Sequence, residues 1–272
     1  MRAFRLAYDG APFYGFQRQP DVPTVEDALF DALAGLDLHD PDDAKPPGYS
    51  AAGRTDAGVS ALAQTVAFEA PAWCGPSALN GGLPGPVRAW AAADVPPDFH
   101  ATHDALQRTY VYHLHAPRRP KRGPAVDDDR LLAAATGLAG EHDFHNLTPD
   151  VEGSARDLSI DVARDGDFLV VTVSAGGFPR HLVRRLVTLL ADVGTGERDL
   201  EAVGRVLDPE PLPGHEGIEP APAYPLVLAS VEYDVDFEVD PDAVEATRAV
   251  FEADRVEHLT RSRVAGLVAD GL

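Results

Sequence analysis

Over its first hundred residues the chain runs strand, helix, strand, strand, helix, strand, and that order leaves few folds open. Residues 2–9 alternate Phe4, Leu6 and Tyr8 against Ala3, Arg5 and Ala7, the period of a half-buried strand. Thr24 caps a helix from Val25, with Asp27 three positions on, and Val25, Ala28, Leu29, Ala32, Leu33 and Leu36 fall on one face. Residues 47–52 read as a short strand, and Leu62 to Glu69 set Val66 and Phe68 against Thr65, Ala67 and Glu69. Ser77 to Pro84 is a short helix ended by Gly81 and Gly82, and a strand follows from Val87 to Ala92. Such an order is that of a ferredoxin-like half.

The rest of the chain is as regular. Asp127 opens a helix through Leu131, Leu132, Ala135 and Leu138 that Gly140 closes. Leu158 to Ala163 and Asp167 to Ser174 form a hairpin across Asp165-Gly166. Leu182, Val183, Leu186, Leu189, Leu190 and Val193 mark the buried face of a further helix. The last thirty or so residues, from Asp240, read as a peripheral helical extension. No internal sequence repeat accompanies these elements.

Several classes are excluded early. At 272 residues and 44% hydrophobic content the chain fills one large or two medium domains. It has no run of 18 apolar residues, and Met1-Arg2-Ala3-Phe4-Arg5-Leu6 interleaves charges where a secretion signal would be apolar; a cytoplasmic protein without a membrane partner is expected. Cys74 is alone, so it forms no internal disulfide and reads as a small buried residue. The net charge is −21, with only two lysines, Lys45 and Lys121, among 23 bases. A surface adapted to high salt explains this, since the Debye length falls to about 3 Å at 1 M and self-repulsion is screened.

Gly53-Arg54-Thr55-Asp56-Ala57-Gly58-Val59-Ser60-Ala61 puts a carboxylate and a guanidinium two residues apart in a glycine-flanked turn between two strands. Gly53 and Gly58 admit backbone angles closed to other residues. Small neighbours leave the Asp56 carboxylate uncovered. Read locally this is a turn first and a functional acid second.

Three further stretches carry chemistry. Tyr8 to Gln19 is a loop of glycine, proline, aromatics and amides, suited either to local packing or to a nucleic-acid face. Arg108-Thr109-Tyr110-Val111-Tyr112-His113 is a strand with Tyr110 and Tyr112 on one face, and Pro117 to Gly123 then gathers Arg118, Arg119, Lys121 and Arg122, either a solvated surface or a contact to RNA phosphate. In Gly177-Phe178-Pro179-Arg180-His181-Leu182-Val183-Arg184-Arg185, Arg184 lies close to the buried face of its helix and needs a partner. The pairs His142/His145 and His113/His115 lack the cysteine or carboxylate partners of a metal site, and no metal is expected.

Read together, these stretches resemble the TruA family of tRNA pseudouridine synthases. The nonapeptide around Asp56 is similar to that family's G-R-T-D-x-G-V, and Tyr8 to Gln19 to its Y-D-G-x-x-[FY]-x-G-[FW]-Q-x-Q. Arg108-Thr109-Tyr110-Val111-Tyr112 is similar to R-x-Y-x-Y, Phe178 to Arg184 to G-F-x-x-x-M-V-R, and Ala221 to Leu228 to A-P-A-x-G-L-x-L; residues 140–144 match G-x-H-D-F, a scaffold motif. Ser60, Leu182 and Pro225 depart from the usual His, Met and Gly. The resemblance spans residues 2–233.

It implies an α+β fold of two ferredoxin-like halves sharing an extended mixed or antiparallel sheet, with a central active cleft. The corresponding domains are 1–104, carrying the Asp56 loop, and 105–240, with 241–272 as the helical extension. It implies an isomerase, a tRNA pseudouridine synthase acting on the anticodon stem-loop at positions 38, 39 and/or 40, working as a homodimer on tRNA without cofactor. Asp56 is then the catalytic nucleophile, at C1′ or at uracil C6, or assists elimination; Arg184 pairs with it. Tyr110 stacks on the flipped base, with C5 deprotonation as a further role, and Arg54 holds either phosphate or the flipped nucleotide. Against this stand a non-catalytic structured-RNA-binding protein, which would not need Asp56, and a metal-dependent hydrolase, which a chelator would stop.

Overall fold

The computed structural model describes residues 1–121 and 123–271; Arg122, one of the four bases expected in the basic loop, and Leu272 lie outside the described residues. The chain divides into two compact units that are discontinuous in sequence. One gathers Met1–Arg54, Gln64–His103 and Val235–Leu272, the other Thr55–Ala63 and Asp104–Asp234, whereas the sequence alone draws its lines at 104 and 240.

In the first unit, β1 (Arg2–Tyr8), α1 (Val25–Ala34), β2 (Ser50–Ala51), β3 (Ser60–Phe68, of which residues 60–63 belong to the second unit), α2 (Pro76–Asn80) and β4 (Val87–Asp94) follow in the expected order. The strands lie β4-β1-β3, with β2 antiparallel on the far part of β3. Thr24 and Asp27 form a reciprocal capping box on α1. Phe4 and Phe68 stack at 4.9 Å in the core. The alternation expected along β3 is absent, because Gln64 and Thr65 are buried as fully as Val66 and Phe68. Burying those polar groups is tolerable because each is satisfied: Gln64 Nε2 donates to the Gly53 carbonyl at 2.9 Å, and Arg5 Nη1 donates to Thr65 Oγ1 at 3.0 Å. The short helix expected to end at Gly81 and Gly82 is α2, which runs to Asn80 with Gly81 as its C-cap.

A C-terminal strand, β10 (Glu238–Val239), pairs with β4, and α6 (Pro241–Asp270) packs its first turns on β4 and α2. Asp240 caps α6 through Ala243 N and also accepts from the Ser77 hydroxyl at 2.7 Å. No helix among the described residues is long and apolar enough to cross a membrane.

The second unit follows a similar order with one more strand and one more helix than the run from β1 to β4. It contains β5 (Gln107–His115), α3 (Asp128–Leu138), β6 (Gly140–Asp143), β7 (Ala155–Asp165), β8 (Phe168–Ala175), α4 (Leu182–Thr195), α5 (Glu201–Leu207) and β9 (Leu226–Glu232). Its strands lie β9-β5-β8-β7-β6, and β9 pairs in parallel with the start of β3 through Ser60 and Ala61, which makes the sheet mixed. The α+β class is therefore as the sequence led us to expect. Gly140 takes φ +95 and opens β6; the helix before it ends instead on Ala139. Leu131 and Leu138 of α3, Leu182, Leu186, Leu189 and Leu190 of α4, and Val171 and Val173 of β8 form one buried cluster, to which Phe144 belongs.

Candidate active site

The loop carrying Asp56 is pinned on both sides. Thr55 and Val59 are buried, and Val59 N donates to the Asp56 carbonyl at 3.1 Å, closing a four-residue turn. Gly58 occupies the third position of that turn at φ +81, a conformation side chains resist. Gly53 is not among the residues at positive φ; its contribution is the carbonyl that Gln64 holds. The Asp56 side chain stands between two anchored residues and remains 31% exposed.

Arg184 reaches this carboxylate from the first turns of α4. Its Nη1 donates to Asp56 Oδ2 at 3.0 Å and its Nε to the Ala221 carbonyl at 2.7 Å. The Arg184 carbonyl in turn accepts from Ala221 N at 3.1 Å, so residue 184 is tied to Ala221 through both backbone and side chain. A planar fork of donors suits this double duty where an ammonium would not. Asp56 Oδ1 has no hydrogen-bond partner among the described residues.

Tyr110 lies on β5 beside a register shift against β9, with its ring edge-on to Phe178 at 5.2 Å and 88°. Burial pushes its phenol up to about 12; the Arg108 charge opposes the rise and the Asp56 charge adds to it. The phenol therefore keeps its proton at neutral pH.

His181 is a site residue that the sequence reading passed over. It precedes α4 in the left-handed conformation, at φ 64 and ψ −1, and its Nε2 lies 3.6 Å from Asp56 Oδ2. The available signal was its place three residues before Arg184, which puts both on one side of a helix start. A second signal is the lack of a Ser, Thr, Asp or Asn where α4 should be capped.

Asp56, Arg184 and Tyr110 are thus brought together in the second unit. Arg54 is grouped with the first, exposed and without an ion pair among the described residues. In the basic loop, Arg118 pairs with Asp128 at 3.1 Å, and Asp128 also accepts from Arg164. His142 Nε2 faces the Ala139 carbonyl at 3.1 Å and His145 Nδ1 faces Asp143 at 3.5 Å. Among the described residues no three His, Cys, Asp or Glu side chains are grouped as metal ligands.

Comparison with known proteins decides the family. The model of a family described as tRNA pseudouridine synthase matches residues 134–234. A relative from Haloarcula marismortui named tRNA pseudouridine synthase A is 56% identical over 100% of both chains. The chain belongs to the tRNA pseudouridine synthase A family. Other tRNA pseudouridine synthase A sequences, from Natronomonas pharaonis at 57% identity over 99% of both chains and Halobacterium salinarum at 55% over 98%, are similar along the whole length. As a tRNA pseudouridine synthase the chain is an isomerase.

Proposed function

We propose that this enzyme converts uridine to pseudouridine in the anticodon stem-loop of tRNA, at positions 38, 39 and/or 40, with Asp56 as the catalytic nucleophile. The observation that carries this is the Asp56–Arg184 pair: one carboxylate oxygen is held at 3.0 Å by a clamped guanidinium while the other is unpartnered among the described residues and the side chain is a third exposed. The reaction breaks the N1–C1′ bond, turns the base and joins C5 to C1′, and Oδ1 is the oxygen available for attack at C1′ or C6. Tyr110 supplies an aromatic edge-packed on Phe178 for the flipped uracil. Arg54, exposed two residues before Asp56, holds phosphate or the flipped nucleotide.

The enzyme works as a cytoplasmic homodimer on its tRNA, with a surface adapted to high salt. The net charge of −21 supports the last point, as do the relatives from Haloarcula and Halobacterium. The test is site mapping. A set of tRNA transcripts, each keeping uridine at only one of positions 38, 39 and 40, is incubated with enzyme in molar KCl and pseudouridine is mapped. Modification confined to these positions supports the reading; modification elsewhere, with these untouched, contradicts the substrate assignment. Light scattering in the same buffer reports the dimer.

A further inference from the structure

We propose that Tyr224 is a substrate-binding residue that stacks on the base next to the target uridine, an inference that rests on Asp56 being the centre of the site. Flipping a uridine out of its stack leaves its neighbours each with a bare face, and an enzyme that covers one of them keeps the target from falling back. On a chain of net charge −21 in high salt, phosphate contacts give less of that hold. A neutral flat ring is then the fitting group, since stacking needs no charge.

Exposure alone does not single out a tyrosine, because lone apolar residues are common on protein surfaces. What distinguishes Tyr224 is where its turn is fastened. Arg184, the partner of Asp56, exchanges two hydrogen bonds with Ala221, through Nε at 2.7 Å and through its carbonyl at 3.1 Å. Two residues on, Ala223 is the neighbour of Gly58 in the turn that carries Asp56: a Cβ added at Gly58 would meet Ala223 Cβ at 3.5 Å. Leu226 N then donates to the Ala223 carbonyl at 3.0 Å and His113 N to the Pro225 carbonyl at 3.1 Å, closing the far side. Residues 221–226 thus touch both members of the Asp56–Arg184 pair, and Tyr224 stands between these anchors, 75% exposed.

The ring itself is uncommitted. The Tyr224 side chain makes no hydrogen bond or ring contact among the described residues. Phe168, the other large aromatic exposed in the second unit, at 41%, packs edge-on to His115 at 5.3 Å. The phenol of Tyr224 is nevertheless close to the site. Burial pushes the Tyr112 phenol up to about 12, Tyr224 adds to the rise and the Arg184 charge opposes it, so both groups lie around the same buried ring. Pro225 restrains the backbone as well: a proline disfavours the α region for the residue before it, which leaves Tyr224 less conformational freedom to lose when a base stacks on it.

The experiment is a double-substitution cycle in molar KCl. Transcripts carrying an abasic nucleotide directly 5′ or 3′ of the modified uridine are compared with intact tRNA for binding to wild type, Tyr224→Phe and Tyr224→Leu, with single-turnover conversion measured alongside. Leucine keeps an apolar side chain and removes the flat face. Expected are a Kd weakened about 5- to 150-fold by Tyr224→Leu on intact tRNA, a rate at saturation within ~3-fold of wild type, and Tyr224→Phe within ~2-fold throughout. On one of the two abasic transcripts Tyr224→Leu should cost nothing further, because the base it would have met is gone. Losses that add on both abasic transcripts overturn the proposal, as does a Tyr224→Leu that binds intact tRNA like wild type. So does a Tyr224→Phe as weak as Tyr224→Leu, which would assign the hydroxyl, or a melting temperature several degrees lower in Tyr224→Leu, which would make the residue structural. Asp56→Asn is run in parallel: if it converts no uridine while Tyr224→Leu binds normally, this inference alone fails, and if it converts uridine the reading beneath it fails as well.

Discussion

Arg184 divides its guanidinium between the Ala221 carbonyl and Asp56, and this division is what Lys cannot reproduce. Arg184→Lys is expected to lower the single-turnover rate about 10²-fold while leaving the tRNA Kd within ~3-fold, since the lost interaction serves the reacting centre. Tyr110 offers a sharper test. Stacking makes Tyr110→Ala lose about 5- to 150-fold, the 1–3 kcal/mol of one stacked base, and Tyr110→Phe separates the ring from its hydroxyl: activity within ~3-fold assigns stacking alone, an inactive variant assigns the hydroxyl to C5 deprotonation. At this scale Asp56 was legible as a carboxylate in a small-residue turn, and Arg184 as a cation too near an apolar face. The approach of His181 to Asp56 was fainter, carried only by its spacing from Arg184 and the missing cap, because it depends on a left-handed backbone at residue 181.

The elements position the site through a few local features. Gly58 at φ +81 sets the turn that aims Asp56, and an added Cβ would meet Ala223 Cβ at an ordinary 3.5 Å; the cost of Gly58→Ala is therefore conformational, about 1–2 kcal/mol by thermal melting. Between β7 and the start of α3, the hydrogen bond from Arg164 holds the Asp128 carboxyl below its usual range, burial working the other way. The depressed value means this contribution is full above the unfolded carboxylate pKa of about 3.9 and is lost as pH falls through the lower folded value. Asp128→Asn should thus melt lower than wild type at pH 7, and the gap should close progressively below about pH 4. Helix starts such as Thr24 and Asp127 and the Asp165-Gly166 turn could be read directly, because capping and turn chemistry are local. The burial of Gln64 and Thr65 could not, since it depends on partners, Gly53 and Arg5, distant in sequence. Nor could the return of residues 235–272 to the first unit, which follows from β10 pairing with β4.

For the whole molecule the net charge of −21 sets the working conditions. Raising KCl from about 0.1 to 2 M should raise the melting temperature by several degrees, because the Debye length shrinks from about 10 Å to below 3 Å and repulsion among acids is screened. A melting temperature that falls or stays flat would remove the salt-adapted reading of the surface. The same screening weakens phosphate contacts, so recognition of tRNA in molar salt must rest more on stacking and shape. The most direct test of the account is tritium release from C5-labelled tRNA in molar KCl, comparing wild type with Asp56→Asn, which keeps the volume and removes the carboxylate. Release by wild type, with none above background from Asp56→Asn although it binds the same tRNA, is the predicted result. Comparable release by both proteins would contradict the placement of the chemistry at Asp56.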